Sequence, residues 1–429
     1  MWRDADFRRL WSGQTASQLG AHACQVTLPL IAVVALDVGA GQLGALRAVE
    51  QAPILLFSLF AGAWVDRRRA RNVMVVADLG RALALAAVPL AYVLGVLGMP
   101  TLLVVAFLVG VLGVFFDVAY QASLVRLLER DQLPAGNSAL EGSRSAAQIG
   151  GPALGGAMVS VFSAPIATAV SAFFFALSFV SIRRIRRPEA VVESAVVENA
   201  GAENAGVESA EGSHRVLRHI REGLHLVLRN TLLRAVGLAS ALFQFSFAAV
   251  MTVYLLFLPR ELHLSGLAVG LALAAMGPGA VVGSLLSARL PGRFGYGRVL
   301  VASAVLADGV MLCVPALHGS TALTLTALMG INFFFGVFSQ LVNVTAMAVR
   351  QAITPVRMQG RVVATINFVG MGLTPVGSLL GGFLAGALGL RTSLLLTALC
   401  LALSPLFMAL SPLARLGHQL PPEDDMAAG

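Results

Sequence analysis

The sequence predicts an all-α protein that crosses a lipid bilayer twelve times as two pseudo-symmetric bundles of six helices, and three observations carry that expectation. Charge is scarce: 12% of residues are charged and 57% hydrophobic, with a mean hydropathy of +0.81, where soluble domains carry about 25% charged residues. Apolar runs such as Val73–Leu97, Thr101–Val125 and Ser393–Leu410 approach or exceed the ~18–20 residues a helix needs to cross ~30 Å of hydrocarbon. Glycine patterns and basic loops recur in the two halves of the chain. Lipid offers the backbone no hydrogen-bond partners, so the apolar runs must be helices.

Taken in order, the spans read at 11–36, 42–64, 73–96, 101–126, 136–160 and 165–185, then 231–258, 266–290, 298–317, 321–349, 360–388 and 392–412. The divisions are a first bundle over 1–187, a linker over 188–229 and a second bundle over 230–429. Arginines crowd the amino terminus and alternate loops (Arg3, Arg8, Arg9, Arg67–Arg69, Arg71, Arg130, Arg183, Arg184, Arg186, Arg187, Arg293, Arg357), while the opposite loops hold little beyond Arg260 and Arg391. The positive-inside rule then places both termini and the linker in the cytoplasm. The stretch Ser12–Gly20 is too polar for the apolar core of a signal peptide, so the first span is expected to stay.

Within the linker, Pro188–Ser213 is a run of small residues with glutamates five apart at Glu193, Glu198, Glu203 and Glu208. That period keeps no helical face, so a solvated tether is expected. Val216, Leu217, Ile220, Leu224, Val227 and Leu228 then form one stripe with arginines off it, the pattern of an amphipathic helix on an anionic leaflet.

The formal net charge is +8, and every basic residue is arginine. A phosphate-binding loop needs a lysine after its glycines, so ATP hydrolysis within this chain is not expected. Arginines in topogenic loops account for the basic balance without nucleic acid. Cys24, Cys313 and Cys400 fall in apolar spans at unrelated spacing and read as small hydrophobes rather than a metal site. No His-Glu-x-x-His helix or nucleophile elbow is present in the sequence, so neither an enzyme nor a cofactor is expected.

Ionisable residues inside spans are costly and mark function. Glu50 lies near the middle of span two, one turn from Arg47, and Asp117 in the inner half of span four. Desolvation favours the neutral form of a carboxyl group, which suits a proton carrier. Glu50 is the first candidate for proton coupling and Asp117 the second, with Asp308 a lesser one. Asp78 with Arg81, and Glu141 with Arg144, stand three apart near the inner side and are placed to pair. His22 shares a helix with Gln14, Gln18 and Gln25, which recur at helical spacing and are expected to line a cavity, Gln18 and Gln25 as substrate-cavity candidates. His22 suits a titrating group or a histidine satisfied within the bundle. Phe243, Gln244, Phe245 and Phe247, with Asn332, Phe333, Phe334, Phe335 and Gln340, offer either a greasy cavity with a few amides or lipid-facing aromatics.

Two motifs carry a family resemblance. Gly62-Ala-Trp-Val-Asp66-Arg67-Arg68-Arg69-Ala-Arg71 resembles the signature loop of the major facilitator superfamily. Gly151-Pro152-Ala-Leu-Gly155-Gly156 in span five is similar to the motif of that superfamily's antiporters. Phe7–Trp11, Phe116-Asp117, Gln359–Val362 and Pro375-x-Gly377 resemble the branch of macrolide-efflux proteins and the enterobactin exporter. The resemblance implies proton-driven export of small amphiphilic molecules by alternating access. A monomer is expected, and the all-arginine usage points to a GC-rich bacterial genome and hence a bacterial plasma membrane. An uptake symporter or a non-transporting sensor on the same fold is the alternative. It also implies a latch in which Asp66 is held by Arg67 and Arg71 and meets helix amino termini. The second-half loop lacks that acid. Span five echoes in Gly377-x-x-x-Gly381-Gly382 of span eleven, as expected for an internally duplicated transporter.

Overall fold

The structure, a computed structural model, describes residues 2, 4–66, 68–127, 132–186, 225, 227–354 and 359–418. The chain opens with α1 (Ala5–Leu30), whose last turn passes Pro29 into a π-helical turn over Ile31–Ala35. Five long helices follow: α2 (Ala40–Asp66), α3 (Ala70–Val93), α4 (Met99–Leu127), α5 (Leu133–Val161) and α6 (Ala164–Arg183). After the linker come α7 (Thr231–Arg260), α8 (Gly266–Ala274), α9 (Met276–Ser287), a single turn α10 (Leu290–Phe294), α11 (Tyr296–Met311), α12 (Ala322–Ala352), α13 (Gln359–Gly372), α14 (Thr374–Leu388), α15 (Leu390–Leu401) and α16 (Leu403–Leu410).

Three of the expected spans are interrupted rather than continuous. Span eight breaks into α8 and α9 at Ala275, span eleven into α13 and α14 at Leu373, and span twelve into α15 and α16 at Ala402. Pro278, Pro375 and Pro405 follow the three breaks within a few residues, and proline both lacks an N–H and crowds the preceding turn. With each broken pair counted once, the described residues are consistent with six spans in each half. Among the described residues, ten helical segments are long and apolar enough to cross a membrane; α2 and α5, which hold Arg47, Glu50, Glu141 and Arg144, are of similar length.

The side-chain pattern suits lipid as the solvent. On α3 the buried stripe runs Met74, Ala77, Asp78, Arg81, Leu85, Val88, while Val76, Leu83 and Leu90 face outward. Polar groups sit inside and large aliphatics outside, the reverse of a soluble helix. By Cα packing the chain divides into two units. One comprises residues 1–198, 255–277 and 319–321; the other comprises 199–254, 278–318 and 322–429. The first has a core of Phe7, Leu10, Val73, Met74, Phe116 and Ile182. The second is built around Leu233, Val236, Leu300, Val349 and Ile366. Of the linker, only His225, Val227, Leu228 and Arg229 are described before Asn230; Val227 packs into the second core while Leu228 is exposed. The remainder of the expected tether and amphipathic stripe lies outside the described residues.

Candidate functional site

The repeated glycine pattern turns into a repeated contact. On α5, a Cβ at Gly151 would collide with His22 Cβ, and one at Gly155 would stand 2.8 Å from the Ala23 carbonyl, so α5 lies directly on α1. On α14, a Cβ at Gly377 would collide with the Phe245 carbonyl, and one at Gly381 would stand 2.5 Å from the Ala249 carbonyl, so α14 lies on α7 in the same way. Each half therefore presses its fifth span onto its first through glycines four apart, which is how small residues bring helix backbones together. Gly156, on the next position of α5, abuts Gly266 and Gly270 of α8. Close approach, rather than backbone freedom, is what these glycines provide.

His22 stands at the α1–α5 crossing, half-buried, with Nδ1 3.3 Å from Gln25 Oε1. Gln25 is exposed and Gln18 half-buried. Gln14 is buried, and its Oε1 has no hydrogen-bond partner. On α2, the Arg47 guanidinium donates to Glu50 at 2.9 Å, and both side chains are only 16% exposed. The two groups form an ion pair set in a bilayer-length helix. Gly110 of α4 lies against this turn: its Cβ would stand 2.6 Å from the Glu50 carbonyl and 2.9 Å from Pro53 Cγ. Asp117, further along α4, is exposed and makes no ion pair or hydrogen bond among the described residues.

Asp78 and Arg81 are the most completely enclosed charges. Asp78 is fully buried, bonds to Arg81, and accepts from Ser178 of α6 and, at 3.2 Å, from Ser17 of α1. Arg81 also donates to Ser17 Oγ at 3.0 Å, and its guanidinium lies 4.4 Å from the ring centroids of both Phe116 and Phe175. Four helices meet on this pair. Glu141 and Arg144 also pair, at 3.6 Å, but their side chains are mostly exposed.

The expected gating loop is described in part. Arg71 donates to the Ile185 carbonyl beyond α6, Arg67 lies outside the described residues, and Asp66 closes α2. A Cβ at Gly62 would meet nothing within 4 Å, so packing does not require glycine there.

Of the expected cavity residues, Gln244, Phe245 and Gln340 are half-buried. Asn332 lies between α12 and α7, and its Oδ1 has no hydrogen-bond partner among the described residues. The residue is fully buried, its amide nitrogen bonded to Tyr254 Oη at 2.7 Å and to the Leu328 carbonyl at 2.9 Å, so it ties α12 to α7. Phe243, Phe247 and Phe335 stack in a ladder with centroids 5.5 and 5.4 Å apart. Sequence reasoning missed Tyr254, Ser17, Ser178 and Gly110. Only Gly110 left a signal, as a glycine in a span otherwise rich in large aliphatics.

Two sets of six spans, glycine-seated first and fifth helices, and ionisable groups held within bilayer-length helices define a polytopic membrane transporter with a small-molecule substrate. The chain belongs to the transmembrane secretion effector family of the major facilitator superfamily, whose family model matches residues 2–428. It is similar to the multidrug efflux pump Tap of Mycolicibacterium fortuitum, at 29% identity over 81% of each chain. It is also similar to the multidrug efflux pump Tap of Mycobacterium tuberculosis H37Rv, at 27% identity over 84% of this chain and 82% of the relative. Among solved structures it shares its fold with a bacterial homologue of the human lysosomal transporter Spinster, with a TM-score of 0.72, 13% identity and 96% of each chain covered. A bacterial homologue of the iron transporter ferroportin is comparable, with a TM-score of 0.71, 14% identity and 94% and 97% coverage.

Proposed function

We propose that this protein exports small amphiphilic molecules, drugs or secondary metabolites among them, in exchange for protons. The observation that carries the reading is the likeness to multidrug efflux pumps along four-fifths of the chain's length. The aromatic ladder of Phe243, Phe247 and Phe335 and the half-buried amides Gln18, Gln244 and Gln340 support an apolar substrate path with few polar anchors.

In this reading Glu50 is the first proton carrier. Ionised, it is held by Arg47; a proton arriving on Glu50 cancels the pair and leaves Arg47 to seek another partner, which changes the electrostatics of α2. Asp117 and His22 are the further carriers. The loop from Gly62 through Asp66, Arg67 and Arg71 acts as the gating latch, and the α5 motif of Gly151, Pro152, Gly155 and Gly156 keeps the closed path tight against leakage. The protein works as a monomer in a bacterial plasma membrane, with both termini cytoplasmic, no cofactor and no enzymatic activity.

The test is proton movement in proteoliposomes under an imposed pH gradient, with lipophilic dyes, macrolides and siderophores as probes, for wild type and Glu50→Gln. Proton flux that rises with a probe and is lost in the variant is the expected result. Flux retained in the variant moves the coupling to Asp117 or His22. Probe movement with the proton gradient, rather than against it, overturns export in favour of uptake.

A further inference from the structure

We propose that Asp308 is a proton-binding site in the second half of the chain; its use in coupling rests on the proton-antiport reading above. Asp308 lies on the buried stripe of α11 with Leu300, Ser303, Ala304, Ala307 and Met311. It is 2% exposed, and its Oδ2 has no hydrogen-bond partner. It forms no ion pair among the described residues, in contrast to Glu50 with Arg47 and Asp78 with Arg81.

The elements packed against α11 are α10, α12, α15, α16 and the turn Pro412–Arg415. Their ionisable side chains are Arg293 and Arg350 on the first two, Arg391 and Cys400 on α15, and Arg415 in the turn. None bonds to Asp308. Arg391 is engaged by the Pro315 carbonyl and by His318 Nε2 at 2.9 Å, and Arg293 lies over the Phe294 ring.

An ionised carboxylate in such a place would be an uncompensated charge in an apolar surround, a far costlier state than the neutral acid. The arrangement seen here therefore suits the carboxylic acid. Ionisation requires the helices around α11 to part and admit water, the proton leaving from the carboxyl to that water. Proton release and movement of these helices become one event. A sodium or divalent ion would need several oxygen ligands, whereas among the described residues no group of three His, Cys, Asp or Glu side chains stands together. A proton needs one oxygen.

The experiment is carbodiimide labelling of the full chain in membranes, read by mass spectrometry, because a hydrophobic carbodiimide reacts with protonated carboxyls in apolar surroundings. Label on Asp308 that is lost as the pH is raised is the expected result, and it needs no variant. Purified Asp308→Asn, which mimics the neutral acid, should keep its thermal stability and lose one pH-dependent carboxylic-acid carbonyl band from the infrared spectrum of wild type. No label on Asp308 at any pH, or an infrared spectrum unchanged by Asp308→Asn, overturns the proposal. Proteoliposomes separate the two readings. Probe-dependent proton flux in wild type that is equal in Asp308→Asn removes Asp308 from coupling, whereas no flux in wild type removes the antiport reading and leaves the labelling result to stand alone.

Discussion

Three carboxyl groups inside bilayer-length helices solve the same energetic problem in different ways. Asp78 is engaged by one guanidinium and two hydroxyls. Glu50 has one guanidinium at 2.9 Å, and Asp308 has no partner. Removing one member of a buried pair leaves the other charge stranded, at a cost of about 3–5 kcal/mol. Asp78→Asn is therefore expected to destabilise the protein by about that much, seen as a large fall in thermal midpoint in detergent. Arg81→Lys keeps the charge but loses the planar stack between Phe116 and Phe175, with an expected cost of about 1–2 kcal/mol. Glu141→Gln, in a mostly exposed pair, should leave the midpoint unchanged. A tolerated Asp78→Asn would mean that Arg81 finds another acceptor and that the pair is not structural. The Asp78–Arg81 and Glu141–Arg144 spacings were legible in the sequence because three residues is one helical turn. Ser17, Ser178, Phe116 and Phe175 were not, since they arrive from three other helices and a serine or phenylalanine in a span carries no local mark of what it touches.

At the scale of elements, the seating of α5 on α1 and of α14 on α7 decides the packing of each half. Gly155→Leu and Gly381→Leu would drive side chains into the Ala23 and Ala249 backbones, contacts already at 2.8 and 2.5 Å for a bare Cβ. Overpacking of this kind against immovable backbone costs about 1–3 kcal/mol or more, so both variants should give little folded protein on size-exclusion chromatography. Gly62→Ala meets open space and should fold as wild type; if it nevertheless slows transport, the glycine is needed in another conformation. Equal folding of Gly155→Leu and Gly62→Ala would refute the distinction drawn here. Span positions were readable to within a few residues because length and apolarity are set by the bilayer. The breaks at Ala275, Leu373 and Ala402 were not read, although Pro278, Pro375 and Pro405 marked their neighbourhoods, because membrane helices often carry proline without breaking. Asn332 shows the opposite limit: its polarity was plain, but whether an amide faces a cavity or a Tyr254 hydroxyl is settled only by tertiary packing.

For the whole molecule, the alternating-access reading proposed above demands that contacts which open during the cycle be individually weak enough to break. On that reading the contact to test joins the loop after α1 to the end of α7, where Arg260 donates to Asp37 at 2.7 Å and to the Val38 carbonyl at 2.8 Å. Asp37 holds a positive φ of 46°, a backbone conformation costing a non-glycine residue about 1–2 kcal/mol, and its side chain is 92% exposed. An exposed pair of this kind contributes little to stability, so Arg260→Ala should leave the thermal midpoint nearly unchanged. Its value would lie in being reversible. In a background with Cys24, Cys313 and Cys400 replaced, Asp37→Cys with Arg260→Cys should accept a short bifunctional thiol reagent that spans the two positions. Joined covalently, the loop and the end of α7 can no longer separate, and dye efflux from proteoliposomes should stop, while each single-cysteine variant treated with the same reagent continues to transport. If the joined protein still moves dye at the wild-type rate, this contact does not open during the cycle, and the contact of Gly156 with Gly266 and Gly270 cannot part on this side either, because α7 and α8 are separated by only a few residues.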